Sequence, residues 1–299
     1  MPTAQMSATS HATRAAVEAP PLVLLGFAAA AIVSPRLFAD IAGWPLIASL
    51  VVLGMPHGAV DMTVNSHLRA VDGLLSAGRH FAWYAAMILV SSLVFFAAPN
   101  WTLLLFAVLS SFHFGLADVR HLQQRFGAAL SATDGRLAAL TRGSLIITLP
   151  FFWHPEEAAA VFESLVRFVG GDPVRISVDM FRTAAGTGLV GAGVVQSILS
   201  IHRIRAGQFR AACVELLECG VLVIAFLALH PLFAVGLYIL AWHSWRHLLT
   251  LTDLIPGGAS NATKQSLVRS MFRLHLVSLP LLVPTLVLFS CCAWWRIDT

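Results

Sequence analysis

Four histidines stand inside apolar runs, where a polar side chain is costly and tends to mark function. His57 lies in Gly-Met-Pro-His-Gly-Ala-Val-Asp, and His113 in Ser-Ser-Phe-His-Phe-Gly-Leu-Ala-Asp. His243 and His247 lie together in Ala-Trp-His-Ser-Trp-Arg-His-Leu. Neutral imidazole is a good ligand for iron, copper, zinc or nickel. Residues four apart share a helical face, so His243 and His247 have the spacing of a chelating pair. A ligand ring needs an acceptor to orient its other nitrogen. Asp61, four residues after His57, lies on the same face. Asp118, five after His113, is rotated about 140° in a regular helix. It could orient His113 only if the helix unwound at Gly115; otherwise it would serve a ligand from another helix.

The segments carrying these residues must be membrane helices. The chain has 299 residues, of which 58% are hydrophobic and only 11% charged. Soluble domains carry about 25% charged residues, so this composition argues against a soluble enzyme. It equally excludes disorder. The net charge of +4 is scattered between apolar runs, which suits loops at a membrane surface and not nucleic acid. Cys213, Cys219, Cys291 and Cys292 all lie in apolar runs without a C-x-x-C spacing. They read as packing residues, not as a disulfide framework or zinc site.

A span needs about 20 apolar residues. Nine candidates result: 22–39, 44–60, 81–98, 101–119, 138–153, 183–201, 211–229, 231–249 and 271–295. The expected fold is an all-α polytopic bundle of about nine spans, within eight to ten. Residues 1–20 are expected to form a disordered tail, and 21–296 a single integral-membrane catalytic domain. The amphipathic segment 156–169 should lie at the surface or half-insert. Arg69 and Arg79, then Arg120, Arg125 and Arg136, then Arg203, Arg205 and Arg210, then Lys264 and Arg269 occupy alternate connections. An inner-membrane chain with a cytoplasmic N-terminus puts all four groups inside.

On that topology the helices bearing His57, His113 and His243 run the same way. The histidines fall 13, 12 and 12 residues after Trp44, Trp101 and Pro231. In regular helices each then sits about 18–20 Å down, toward the cytoplasmic side. A lone intramembrane histidine is ordinarily a hydrogen-bonding residue between helices; equal depth on three helices is what favours a shared ion. Phe112, Phe114, Tyr238 and Trp242 flank these histidines and could line a pocket for a long apolar substrate, although ordinary helix packing is the commoner explanation for any one of them.

The segments P-H-G-x-x-D at 56–61, F-H-F-G-x-x-D at 112–118 and W-H-S-x-x-H at 242–247 resemble the Brp/Blh family of membrane β-carotene 15,15'-dioxygenases. The resemblance covers roughly residues 40–290. It implies Fe(2+) held by His57, His113, His243 and His247. It also implies that β-carotene and O2 are the substrates, and that cleavage of the central double bond gives two molecules of retinal. That retinal commonly serves a microbial rhodopsin. A carotenoid is nearly pure hydrocarbon, so an enzyme within membrane lipid meets it by lateral diffusion. The competing readings are a di-iron hydroxylase or desaturase, a bis-histidine haem electron carrier, and a transporter with a His/Asp proton relay. The first lacks ligands for a second iron, since there is one H-x-x-x-H and no His-His pair.

The Asp61→Asn protein is expected to fold but to hold iron about 10–100-fold more weakly. Metal analysis after dialysis against a graded chelator series measures this; unchanged retention removes the orienting role from Asp61.

Overall fold

A proline near the start or a side-chain cap begins most of the helices, and glycine ends several of them. The computed structural model describes residues 11–54, 74–127 and 130–247, and helical positions at Phe272, Leu276, Leu279, Val283 and Val287. Every regular element among these residues is helical. The helices are α1 (His11–Val33), α2 (Pro35–Asp40), α3 (Trp44–Ala48), α4 (Leu74–Ala97), α5 (Pro99–Phe126) and α6 (Ala132–Trp153). They continue as α7 (Pro155–Phe168), α8 (Val178–Arg205), α9 (Phe209–Ala228) and α10 (Pro231–Leu237). Two π-helical turns, Ser49–Gly54 and Tyr238–His243, extend α3 and α10.

Pro35, Pro99 and Pro155 open their helices, where the missing N–H has no partner to lose. Ser131 and Ser177 accept the N–H of Asp134 and Met180 at 3.0 and 3.2 Å, capping α6 and α8. Between α8 and α9, Gly207 takes φ +79°. The N–H of Gln208 then reaches back to the Arg203 carbonyl at 2.8 Å, closing the helix end with a left-handed residue. At the next junction, His230 Nδ1 accepts the N–H of Leu232 at 3.3 Å. Burial lowers the His230 pKa from its ordinary value, with Glu157 opposing and His154 assisting.

The chain forms two compact units. The larger comprises 21–42 and 78–235, the smaller 1–20, 43–77 and 236–299. In the larger unit α6 is the hub, packing against α5, α7, α8 and α9. Ser111 and Gly115 on α5 face Ala139 and Gly143 on α6 in a small-x-x-x-small crossing. A Cβ on Gly115 would run into the Ala139 carbonyl, and one on Gly143 into the Ser111 carbonyl. Only glycine permits this approach, and dispersion between close backbones is what holds helices together once the surroundings are apolar. Val119, Ala138, Ala139 and Leu199 form the adjoining core. Phe27, Phe38 and Phe233 make a separate ring cluster with centroids 5.0–6.3 Å apart.

The burial pattern is the reverse of a soluble protein. Asp118, Arg142, Gln196, Arg203, Glu215 and Glu218 are buried, while Trp83, Leu89, Leu93, Leu105, Val190 and Val194 are exposed. Such an apolar exterior requires an apolar solvent. Among the described residues, α5, α8 and α9 are long and apolar enough to cross a membrane.

Several expectations are corrected. α1 begins at His11, inside the stretch expected to be irregular, because the segment after it is rich in alanine, the best helix former. The span 22–39 is broken at Ser34–Pro35 into α1 and α2. α5 is an unbroken helix through Gly115; that glycine serves close packing, not unwinding. Arg203, counted as a loop charge, lies within α8 and is 2% exposed. The segment 156–169 does form a helix, α7.

Gly143→Ala is expected to destabilise the protein by about 1–3 kcal/mol or more through overpacking. Gly193→Ala, whose added Cβ meets nothing within 4 Å, is expected to be neutral or slightly stabilising. Thermal unfolding in detergent separates the two, and equal melting points would remove the backbone-contact account of the α5–α6 crossing.

Candidate metal centre and buried charge cluster

In the smaller unit α3 meets α10 backbone to backbone. A Cβ on Gly236 would strike the main chain of Pro45 and Leu46. This contact brings the two π turns against one another. A π turn carries i→i+5 hydrogen bonds and occurs mostly as a single turn inside a helix, frequently at functional sites. The first ends at Gly54, two residues before Pro56. Proline lacks an N–H and crowds the preceding turn, which favours a locally widened helix. The second ends on His243 itself.

The widened turn decides which side chains meet. In a regular helix, residues five apart differ by about 140°. Here Tyr238 and His243 stack, with ring centroids 6.2 Å apart and planes at 28°. Trp242 lies 6.1 Å from Tyr238, and the Arg246 guanidinium sits 4.3 Å over the Trp242 ring. Tyr238, Trp242, His243 and Arg246 are all buried, and His247 is half-buried. The depth expected for His243 assumed a regular helix from Pro231. A π turn intervenes, and its wider loop advances less per residue, so that figure is too large.

His113 is exposed on α5. The buried residues Ser111, Gly115, Asp118, Val119 and Leu122 define the face toward α6; at about 100° per residue, His113 points roughly the opposite way. Its ring lies 5.9 Å from that of Phe114, and Phe112 beside it is exposed. Thus His243, Tyr238 and Trp242 gather in the smaller unit, with His247 one turn on, whereas His113, Phe112 and Phe114 belong to the larger. His57 and Asp61 lie outside the described residues. Among the described residues, no three of His, Cys, Asp and Glu gather as a metal site. The donor chemistry nonetheless suits a divalent transition metal. His243 and His247 offer imidazole nitrogens at chelating spacing, and His243 is 4% exposed beside aromatic rings; imidazole is a good ligand for such metals.

A second polar group occupies the larger unit. Arg142 Nη2 on α6 donates to Asp118 Oδ2 on α5 at 3.0 Å and to Glu218 Oε2 on α9 at 2.7 Å. Arg203 Nη1 on α8 lies 3.2 Å from Glu215 Oε2 on α9. Side chains of both pairs are at most 4% exposed. Asp118, expected to orient a ligand ring, is therefore held on the α6 side of α5. Arg142 and Glu218 were not singled out by sequence reasoning. An arginine within the shortest apolar run, and two glutamates in another, were the signals available.

A family model described as "Beta-carotene 15,15'-dioxygenase" matches residues 48–298. The chain is 28% identical over 259 residues to "Probable beta-carotene 15,15'-dioxygenase Blh" of Halobacterium salinarum, covering 85% of this chain and 74% of that protein. It is 30% identical to "Probable beta-carotene 15,15'-dioxygenase Brp" of the same organism over 67% of this chain and 55% of the relative. A "Beta-carotene 15,15'-dioxygenase" from an uncultured marine bacterium is 29% identical over 82 residues, 25% of this chain and 28% of that protein. No solved structure matches the chain.

Arg142→Met leaves two carboxylates buried without their cation and is expected to cost about 3–5 kcal/mol of stability. Arg142→Lys, which restores the charge but not the fork, should recover part of it. A melting point unchanged in Arg142→Met would show the pair to be structurally idle.

Proposed function

The chain belongs to the beta-carotene 15,15'-dioxygenase family, and on that premise we propose that it cleaves the central 15,15' double bond of β-carotene with O2, giving two molecules of all-trans-retinal. The observation that carries the reading is the family match across residues 48–298, which spans all the motif histidines. On this reading the protein works as a multi-span cell-membrane enzyme with about nine spans and a cytoplasmic N-terminus, its metal site toward the cytoplasmic side.

His57, His113, His243 and His247 would hold Fe(2+), which supplies the binding and activation of O2. Neutral histidines leave the ion its positive charge. Around it the chain's own residues position and exclude. The stack on Tyr238 restricts rotation of the His243 ring, so its lone pair keeps one direction. The Arg246 charge is engaged over the Trp242 face, where cation–π attraction holds it. Buried Tyr238 and Trp242 keep water from the imidazoles, and dry surroundings protect reactive species from hydrolysis. Phe112 and Phe114 supply apolar surface beside His113 for a polyene. Asp61 would accept from a ligand ring. The scheme asks for no general base. Retinal released into lipid would be available to a microbial rhodopsin.

Alanine at His57, His113, His243 or His247 is expected to lower bound iron and abolish retinal formation. The test is expression in carotenoid-producing cells, with retinal measured chromatographically and iron measured in the purified protein. Wild-type activity after any two of these changes would end the four-ligand scheme. A Soret band in the wild type would favour a haem protein instead.

A further inference from the structure

The two ends of the larger unit differ in charge. Where α5 and α8 finish and α6 and α9 begin stand Arg120, Arg125, Arg136, Arg205 and Arg210. Among the described residues, the carboxylates at that end are Asp134, which is half-buried, and Glu215, which is buried against Arg203. At the other end Glu156, Glu157, Glu163, Asp172 and Asp179 outnumber Arg167, Arg175 and Arg182. Arg120, Arg136, Arg205 and Arg210 are exposed. None of these four forms an ion pair with a described residue; the ion pairs of the unit use Arg142, Arg167 and Arg203. Two of the cations at the basic end converge. The Arg125 guanidinium, in the last turn of α5, lies 5.0 Å from the centroid of the Phe126 ring. The Arg210 guanidinium, from the first turn of α9, lies 5.8 Å from the same centroid.

We propose that Arg125 and Arg210 grip the phosphate of an anionic phospholipid whose acyl chains lie along the exposed face of α9. This site is independent of the catalytic reading. Three features select the occupant. The Phe126 ring attracts each guanidinium weakly, but the two cations repel each other, and an anion shared between them offsets that repulsion. Guanidinium is also the side chain best matched to phosphate oxygens. Below Arg210 the same face of α9 turns apolar. Leu217 and Ile224 follow it by 7 and 14 residues, about 10 and 21 Å along the helix and within about 40° of its direction. Both are exposed, so a cation heads a strip on which a hydrocarbon chain can lie. The surplus of positive charge at this end selects a headgroup with net negative charge, since a zwitterionic one brings its own cation beside the neighbouring arginines. A free phosphate would satisfy the guanidiniums and leave the strip unused. An acidic protein approaching from water would do the same.

The test places the full-length protein in nanodiscs of mixed phosphatidylcholine and phosphatidylglycerol, extracts it gently into detergent, and quantifies the lipid that stays bound by mass spectrometry. In the wild type, phosphatidylglycerol is expected to be enriched over its share of the nanodisc, and the enrichment should fall as salt rises. Arg210→Gln should lower it about fivefold, near the worth of one arginine at an anionic membrane surface. Arg210→Lys, which keeps the charge, should retain most of it, and Arg125→Gln combined with Arg210→Gln should abolish it. Arg182→Gln makes the same change in charge at the other end and should leave the enrichment as it is. Retained lipid of bulk composition in the wild type overturns the proposal without recourse to any variant. An equal loss in Arg182→Gln overturns it too, by reducing the effect to net charge. Displacement of the lipid by inorganic phosphate at matched ionic strength would make this a soluble-anion site, and displacement by a polyglutamate peptide would assign it to an acidic protein; either result ends the lipid assignment.

Discussion

In hydrocarbon a charged side chain must find its counter-charge within the protein, because the solvent offers none. Arg142 is where this constraint is strongest. Its guanidinium sits at the centre of the hub helix and joins three helices through Asp118 and Glu218. The bond to Asp118 needs α5 and α6 close together, and the Gly115–Gly143 crossing provides that closeness. Steric fit and electrostatics therefore support each other: larger residues at the crossing would separate the helices, and separated helices would strand the charge. The second pair, Arg203 with Glu215, repeats the arrangement between α8 and α9.

In the smaller unit the segment nearest the predicted chemistry is irregular. Two π turns meet where α3 crosses α10. A π turn leaves the local hydrogen-bond ladder less regular than an α turn, so it persists where tertiary packing holds it. The Gly236 contact supplies that packing on one side and the buried Trp242 on the other. The outcome is an imidazole held by an aromatic stack in a dry setting, which is what a metal ligand requires of its supporting residues.

Much of the architecture was legible in the chain. Apolar runs gave α4, α5, α8 and α9 to within several residues, since each run must bury its backbone polar groups in helix. α6 read as the shortest run because its charges interrupt the apolar pattern. It proves to be a 22-residue helix at the centre of its unit, extended N-terminally past Asp134 and Arg136, and the run itself contains Arg142, the charge the bundle is built around. The motif histidines were legible by residue type and spacing. The Tyr238–His243 stack was not, because helical periodicity assumes 3.6 residues per turn and a π turn departs from it.

Residue order alone determined the helical class, the apolar exterior and the family, for these follow from composition, local periodicity and motif. Tertiary structure alone decided the partners of Arg142, which lie 24 residues before it and 76 after it. It also decided the face of α5 on which Asp118 is spent. Ion-pair and hydrogen-bond partners across such separations are selected by how helices cross, and crossing is a property of surfaces, not of neighbouring residues.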